Sequence, residues 1–134
     1  MNYIGRFRSN YFAVKDRDAF EQWCRQYHLE LITENSDPSL VGFHDRSGEG
    51  IPTHKPAETE DEDEEEIDFI EELGEQLADG YVAVVMEIGW EGYRYLVGNA
   101  YAINNQGECR NIILDDEIDR QARALGKYVT PCQY

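Results

Sequence analysis

The sequence contains little cysteine and lacks any long apolar run. Its 3 cysteines, at positions 24, 109 and 132, are odd in number and widely spaced, which indicates reduced thiols rather than a disulfide framework. No stretch approaches the roughly 18 apolar residues of a membrane span. The start, MNYIGRFRSNYF, lacks the apolar centre of a secretion signal. We therefore expect a cytoplasmic protein that is neither exported nor inserted into a membrane.

Signatures of catalysis and of metal binding are also missing. The sequence has no nucleophile elbow, no phosphate-cradling glycine loop and no zinc-protease motif. Cys24 and His28 stand four residues apart and could touch one metal, but zinc needs about four ligands and no second pair has suitable spacing. Carboxylates crowded on a solvated face do not readily hold a pKa near neutrality. We therefore expect no catalytic residue, no metal and no cofactor, and a protein that is not an enzyme.

Basic residues are absent from one segment, and this absence produces most of the net charge of −16. Between Glu58 and Asp79 the chain has thirteen acidic residues and no Lys or Arg, whereas the rest has 15 acidic and 12 basic residues. So concentrated a charge favours association with basic surfaces and disfavours contact with nucleic acid or anionic lipid. The expected partner is a basic protein, not nucleic acid and not a membrane. The alternative is that the acid only keeps the protein soluble.

Hydrophobic periodicity predicts one helix near each end of the chain. Asp16 can cap a helix whose apolar stripe follows at helical spacing and consists of Phe20, Trp23, Cys24 and Tyr27. A last helix over residues 115–125 would begin at a capping Asp115 and stop at Gly126.

Apolar and β-branched runs predict the strands of a single α+β domain over residues 1–134. The predicted strands are residues 9–14, 29–33, 40–44, 81–88, 93–103 and 109–114. Because short turns join most of them, the sheet should be largely antiparallel, with the helices packed on one face. The predicted order is β-α-β-β-linker-α-β-β-β-α, with a mobile acidic linker at about 45–63.

The acidic segment itself has the pattern of an amphipathic helix over residues 61–79. At about 3.6 residues per turn, Ile70, Leu73 and Leu77 fall together, so we expect the segment to fold from about Glu64 and to dock this apolar side on the sheet. The candidate partner-binding residues fall on the opposite side of the helix, and they are Asp61, Glu64, Glu65, Asp68, Glu72, Glu75 and Asp79.

The spacing of these carboxylates would resemble that of a nucleic acid. On a continuous helix they would lie about 4 Å apart along the axis, close to the about 3.4 Å per phosphate of one DNA strand. A basic groove built for nucleic acid could therefore accept the acidic side of the helix.

The longest predicted strand offers a second candidate surface. Alternation puts an aromatic row, Tyr93, Tyr95, Val97, Asn99, Tyr101 and Ile103, on one face. The other face carries small residues that would let a helix approach closely. The aromatic row is either part of the core or a contact surface for oligomerisation.

Two segments of the sequence resemble small acidic proteins carried on bacterial plasmids and phages. The segments are SNYFAVKDRDAFEQW and YVAVVMEIGWEGYRYLVGNAYAIN, together with the acidic start of the last helix. That group has no characterised chemistry, so the resemblance implies an accessory protein of a mobile genetic element and carries over no catalytic residue. In charge alone, the chain is similar to acidic anti-restriction and anti-CRISPR proteins that imitate DNA.

These features lead to one main functional hypothesis and two alternatives. The main hypothesis is a non-enzymatic binding protein whose acidic helix occupies a basic, nucleic-acid-binding type of surface on a partner, as a DNA-mimic inhibitor of a bacterial defence protein. One alternative is a structural or regulatory module that forms a homodimer or larger oligomer through the aromatic sheet face. The other is an immunity protein against a basic nuclease toxin, which depends on the same charge.

Overall fold

A computed structural model of the chain describes residues 3–45, 47–56, 65–92 and 95–130. In these parts no helix is long and apolar enough to cross a membrane. The elements, in chain order, are β1 (Tyr3–Ser9), α1 (Arg17–Gln26), β2 (Leu29–Thr33), β3 (Val41–Asp45), β4 (His54–Lys55), β5 (Glu65–Glu66), α2 (Phe69–Gln76), β6 (Ala83–Glu91), β7 (Tyr95–Ile103), β8 (Cys109–Ile113) and α3 (Leu114–Leu125).

Six of the strands form one antiparallel sheet in the order β2-β3-β1-β6-β7-β8, and β4 pairs separately with β5. Each neighbouring pair in the large sheet is antiparallel. With the helices packed against this sheet, the protein is a single α+β domain, as the sequence predicts. Helices α1 and α2 cover one face of the sheet, which we call the inner face. The opposite face of β1, β6, β7 and β8 is called the open face.

The first strand lies earlier than residues 9–14, where the sequence places it. In β1 the inner-face residue Phe7 is buried between the exposed Arg6 and Arg8. Buried and exposed residues therefore alternate along β1, but arginine and glycine occupy several of these positions instead of the apolar and β-branched residues that predict a strand. The part of the predicted segment that follows Ser9 forms no strand and instead makes isolated backbone bridges to other parts of the chain. In it the backbone N–H of Phe12 donates to Val41 O at 2.9 Å, and the ring of Phe12 is fully buried.

Helix α1 confirms the prediction made from its apolar stripe. The carboxylate of Asp16 caps it by accepting a hydrogen bond from the backbone N–H of Ala19 at 3.2 Å. Phe20, Trp23 and Cys24 are buried against the sheet. The chain leaves the helix through His28, whose φ of 57° is in the left-handed region that often ends helices.

Helix α2 is much shorter than the predicted helix over residues 61–79. It begins at its N-cap Asp68, whose carboxylate accepts a hydrogen bond from the backbone N–H of Glu71 at 3.1 Å, and it ends at Leu77. The apolar side docks as predicted, since Ile70, Leu73 and Leu77 are buried. The helix starts where apolar residues begin to recur, because like charges four residues apart oppose its extension into the acidic run.

The described part of the predicted linker is anchored to the sheet. The backbone N–H of Gly5 donates to Gly48 O at 2.8 Å, and the backbone N–H of Ile51 donates to the carboxylate of Glu87 at 3.1 Å. Further along, β4 pairs with β5. Residues 57–63 of the predicted linker lie outside the described residues.

The three-stranded meander is confirmed as β6, β7 and β8, and α3 follows β8 directly. The N-cap of α3 is Ile113, which makes no side-chain cap hydrogen bond, rather than the predicted Asp115, and Gly126 ends the helix as predicted. Leu114 lies against Gly98 of β7, where an added Cβ would come within 2.8 Å of its side chain. Because Gly98 pairs with the exposed Ile88, α3 begins on the open face.

Close approach of α2 to β7 predicts that Gly74→Ala destabilises the protein although alanine favours helices. A Cβ at position 74 would lie 2.8 Å from the side chain of Ile103 and 2.9 Å from the backbone oxygen of Asn104. Overpacking of this kind costs about 1–3 kcal/mol, against about 1 kcal/mol gained in helix propensity. We expect a net loss of up to about 2 kcal/mol in the unfolding free energy, measured by urea denaturation.

The matched control is Gly126→Ala, where an added Cβ meets no atom within 4 Å and the backbone is extended. We expect this variant to unfold at the wild-type urea concentration. A Gly74→Ala protein as stable as wild type would show that α2 does not depend on this close contact.

Candidate partner-binding surface

The seven predicted partner-binding carboxylates do not form one continuous row. Asp61 and Glu64 lie outside the described residues. Glu65 is in the short strand β5, Asp68 is the N-cap of α2, and Asp79 lies in the turn after the helix. Since α2 has 8 residues, it rises only about 12 Å. The carboxylates of residues 65–79 therefore do not follow the spacing of phosphates along DNA, because that spacing requires one continuous helix and α2 covers only Phe69–Gln76.

Glu72 is half-buried and turned toward the core, so it is not part of the acidic surface. One carboxylate oxygen of Glu72 accepts two hydrogen bonds. The indole N–H of Trp23 donates the first at 3.1 Å, and the hydroxyl of Tyr27 donates the second at 2.9 Å. Burial, and then the hydrogen bond to Glu72, raise the pKa of Tyr27. The sequence contained a signal for this contact, because buried Trp and Tyr need a partner for their polar atoms. The helical wheel alone placed Glu72 on the solvent side.

The rings around Glu72 join α1, α2 and the sheet. Trp23 stacks on Phe69 with ring centroids 4.8 Å apart, and Tyr27 and Phe43 meet Phe69 edge to face at 5.6 Å and 5.8 Å. Offset stacking and edge-to-face contacts are the favourable geometries for aromatic rings. This cluster fixes the orientation of α2 and therefore of the carboxylates that α2 carries outward.

The outward carboxylates are those of Asp68, Glu71 and Glu75, all exposed. Glu71 and Glu75 stand one turn apart, as a like-charge pair that costs about 0.2–0.5 kcal/mol. In the turn after α2, Asp79 is exposed and accepts a hydrogen bond from the side-chain amide of Asn105. No Lys or Arg occurs between residues 65 and 79, and we call the exposed carboxylates of this range the acidic surface.

Two members of the aromatic row of β7 lie in the core or against it. Ile103 is buried, and Tyr101 packs against the buried cluster. Burial, and then the negative charge of Glu87, raise the pKa of Tyr101. The burial of Ile103 and the packing of Tyr101 favour the core interpretation for these two residues, and oligomerisation through the rest of the row stays a prediction. Tyr93 and the side chain of Tyr95 lie outside the described residues.

Glu87 is a second inward carboxylate that sequence reasoning missed, since it stands inside an apolar strand. Its two oxygens accept hydrogen bonds from the backbone N–H of Ile51 at 3.1 Å and from the side-chain amide of Asn99 at 3.3 Å. Burial, and then the negative charge of Glu87, raise the pKa of Tyr3 to about 12. The ring of Tyr3 covers Gly5 and Gly89, where an added Cβ would come within 2.4 Å of its hydroxyl. Glu87 thus holds the linker on the sheet.

An open cleft of about 680 Å³ lies beside the linker, lined in part by Tyr27, His28, Asp45 and His54. The carboxylate of Asp45 is engaged by its own loop. It accepts hydrogen bonds from the backbone N–H and the hydroxyl of Ser47, at 2.9 Å and 2.8 Å, and from the backbone N–H of Gly48 at 3.1 Å. Asp45 therefore shapes the loop at the rim of the cleft.

Cys24 and His28, four residues apart in the sequence, differ in their surroundings. Cys24 is 1% exposed, whereas His28 is exposed after the end of α1. In the part of the chain that the structure describes, no group of three or more His, Cys, Asp or Glu residues is placed to hold a metal ion. Burial raises the pKa of the Cys24 thiol from 9.0 to about 12.

The role of Glu72 predicts that Glu72→Ala destabilises the protein while Glu75→Ala does not. Without Glu72, the buried N–H of Trp23 and the buried hydroxyl of Tyr27 lose their acceptor, and an unsatisfied buried group costs about 1–3 kcal/mol. Glu75 is exposed on the same helix, so its loss should change stability by no more than about 0.5 kcal/mol. Glu72→Gln keeps an acceptor oxygen and should recover part of the loss. Equal urea midpoints for the two alanine variants would contradict this assignment.

The raised pKa of Cys24 predicts a loss of stability at alkaline pH. Between pH 9 and about 12 the unfolded chain releases the thiol proton and the folded chain keeps it. Stability therefore falls as the pH rises through this window, by at most about 1.4 kcal/mol per pH unit for one group. Replacing Cys24 with Ala should make the decline of the unfolding free energy less steep, and replacing the exposed Cys109 should not. The idea fails if the two variants show the same slope as wild type.

Comparison with known proteins does not assign a family. No protein-family model, no curated protein and no solved structure matches the chain. The resemblance to accessory proteins of plasmids and phages thus stays a prediction, and the function is argued from the geometry of the acidic surface.

Proposed function

We propose that this protein is a non-enzymatic binding protein whose acidic surface occupies a basic surface on a partner protein. The observation that carries the proposal is the placement of Asp68, Glu71 and Glu75. All three are exposed on one short helix whose opposite side is buried in the core.

The anchoring of α2 supports a specific role for these carboxylates. Ile70, Leu73 and Leu77 are 8%, 0% and 0% exposed, and Phe69 lies within the aromatic cluster. A charged surface on so well packed a helix is preorganised, so little conformational entropy is lost when a partner binds. Charges fixed in this way also steer a basic partner during diffusion.

The absence of basic residues along the segment also supports binding. Salt bridges occur on the other exposed helices, where Arg17 pairs with Glu21 in α1 and Arg123 pairs with Asp119 in α3. Helix α2 has no basic residue in its last turn, and the whole range from Glu58 to Asp79 has none. Its repulsion is relieved when a partner supplies the cations.

The class of partner follows from the charge and not from a phosphate-like spacing. A basic surface of the nucleic-acid-binding type is one on which cations are already concentrated, so we propose it as the target. Inhibition of a defence protein and neutralisation of a basic nuclease toxin are both consequences of occupying such a surface. Both would make the protein an antagonist of nucleic-acid binding.

Charge reversal tests the proposal in a bacterial lysate. The Glu71→Lys/Glu75→Lys variant keeps the Asp68 cap and the inward Glu72, so its fold should be preserved. Wild type should retain a basic protein at about 0.1 M salt and release it at about 1 M, where the Debye length falls from about 10 Å to about 3 Å. The variant should retain much less of the same basic protein. Added double-stranded DNA should displace that basic protein from the wild-type chain.

The matched control is Glu91→Lys/Glu108→Lys, which makes the same change in net charge at exposed positions outside the acidic surface. We expect it to retain the partner as wild type does. Equal losses in both variants would show that net charge alone is responsible. Recovery of no basic protein at low salt would contradict the proposal.

A further inference from the structure

In the part of the chain that the structure describes, the open face of the sheet is apolar and its large side chains are exposed. Its exposed large side chains are Ile4, Met86, Ile88, Trp90, Leu96 and Ile112. Ile88 is 67% exposed and Met86 61% exposed, although both lie in β6, a central strand of the sheet. They are contiguous through the strand register, which places Ile4 beside Trp90 and Trp90 beside Leu96. Soluble monomers rarely expose a contiguous apolar patch of more than a few hundred Å².

The charge of this face is the reverse of the charge of the whole protein. The chain has 28 acidic residues, but alternation along β1, β6, β7 and β8 places none of them on the open face. The charged residues there are Arg6, Arg8 and Arg110. Among the described residues, no carboxylate forms an ion pair with Arg6 or Arg8.

Helix α3 has the complementary properties. It has no buried residue, and Leu114, Ile118 and Leu125, which recur at helical spacing, are 59%, 55% and 92% exposed. Its first turn is acidic, with Asp115 and Asp116 exposed. Within the described ranges, one chain therefore carries both an apolar sheet face with arginines and an apolar helix with exposed carboxylates in its first turn.

We propose that the open face is a dimer interface and that its occupant is a second copy of this chain. Arg6 pairs with Ile88 in register, Ile88 pairs with Gly98, and Gly98 lies against Leu114. Arg6 and the start of α3 thus stand at the same level along the strands but at opposite sides of the face. A two-fold axis parallel to the strands, over the β6–β7 pair, brings Arg6 of each copy to Asp115 and Asp116 of the other. Self-complementarity of this kind is what an isologous interface requires.

The area of the face matches the need of a stable dimer. Four strands about 4.8 Å apart and up to 9 residues long span roughly 19 Å by 30 Å. The 12 residues of α3 add a stripe about 18 Å long. A standard interface buries about 800 Å² on each partner, which this surface can supply.

Sedimentation velocity of the full chain over roughly 1 μM to 1 mM tests the interface. We expect a monomer–dimer equilibrium, with the dissociation constant raised at least about tenfold in Ile88→Glu and in Leu96→Glu. The matched control is Tyr81→Glu, since Tyr81 is an apolar residue 41% exposed outside the open face. Far-ultraviolet circular dichroism of each variant verifies the fold, because both interface positions are exposed in the monomer.

A charge swap tests the pairing of the two sides. The Arg6→Glu variant and the Asp115→Lys/Asp116→Lys variant should each weaken the dimer several-fold, and combining the substitutions in one chain should restore much of the affinity. A dimer of wild-type strength in every variant would place the interface elsewhere and overturn the proposal. A chain that stays monomeric at 1 mM would overturn it as well, and its binding to phosphatidylcholine vesicles would then assign the face to a lipid surface.

Discussion

The contact of Trp23 with Phe69 is the interaction on which the rest of the domain depends. Trp23 belongs to α1 and Phe69 to α2, and both rings meet Phe43 of β3. The stack therefore joins two helices that are distant in sequence and seats both on the inner face. Glu72 completes it by accepting the polar hydrogens of Trp23 and Tyr27. Because α2 is held from inside in this way, its outer side is free to carry unbalanced charge.

The domain separates its surface properties by face. Its acidic surface lies on the helical layer over the inner face, whereas the open face has exposed apolar side chains and arginines. The proposed binding of a basic partner and the proposed dimer would therefore use different faces of the domain. A dimer built on the open face would carry two acidic surfaces, and two linked sites raise the effective concentration of each for a partner with repeated basic sites.

Much of the fold could be predicted from the sequence because single elements show their periodicity locally. Phe20, Trp23 and Cys24 defined α1, and the apolar run of β6 defined the meander. The extent of α2 could not be predicted, because the sequence pattern of the acidic run is compatible with a longer helix. Repulsion between like charges and the cap at Asp68 decide where the helix begins. The inward roles of Glu72 and Glu87 could not be predicted either. Their hydrogen-bond donors come from α1 and from the linker, which are distant from them in the sequence.

The location of β1 in the sheet has a consequence for how the chain folds. This strand precedes the other described elements in the chain, yet it lies at the centre of the sheet. Its residues Tyr3–Ser9 pair with β6, which ends at Glu91. The hairpin of β2 and β3 can form early because its strands are close in sequence. The sheet itself cannot close until β6 has left the ribosome, and loop closure over such a separation slows folding. Until β6 pairs with β1, the ring of Phe7 has only its contacts with Phe43 and Phe69, so part of the apolar core stays exposed while the chain folds.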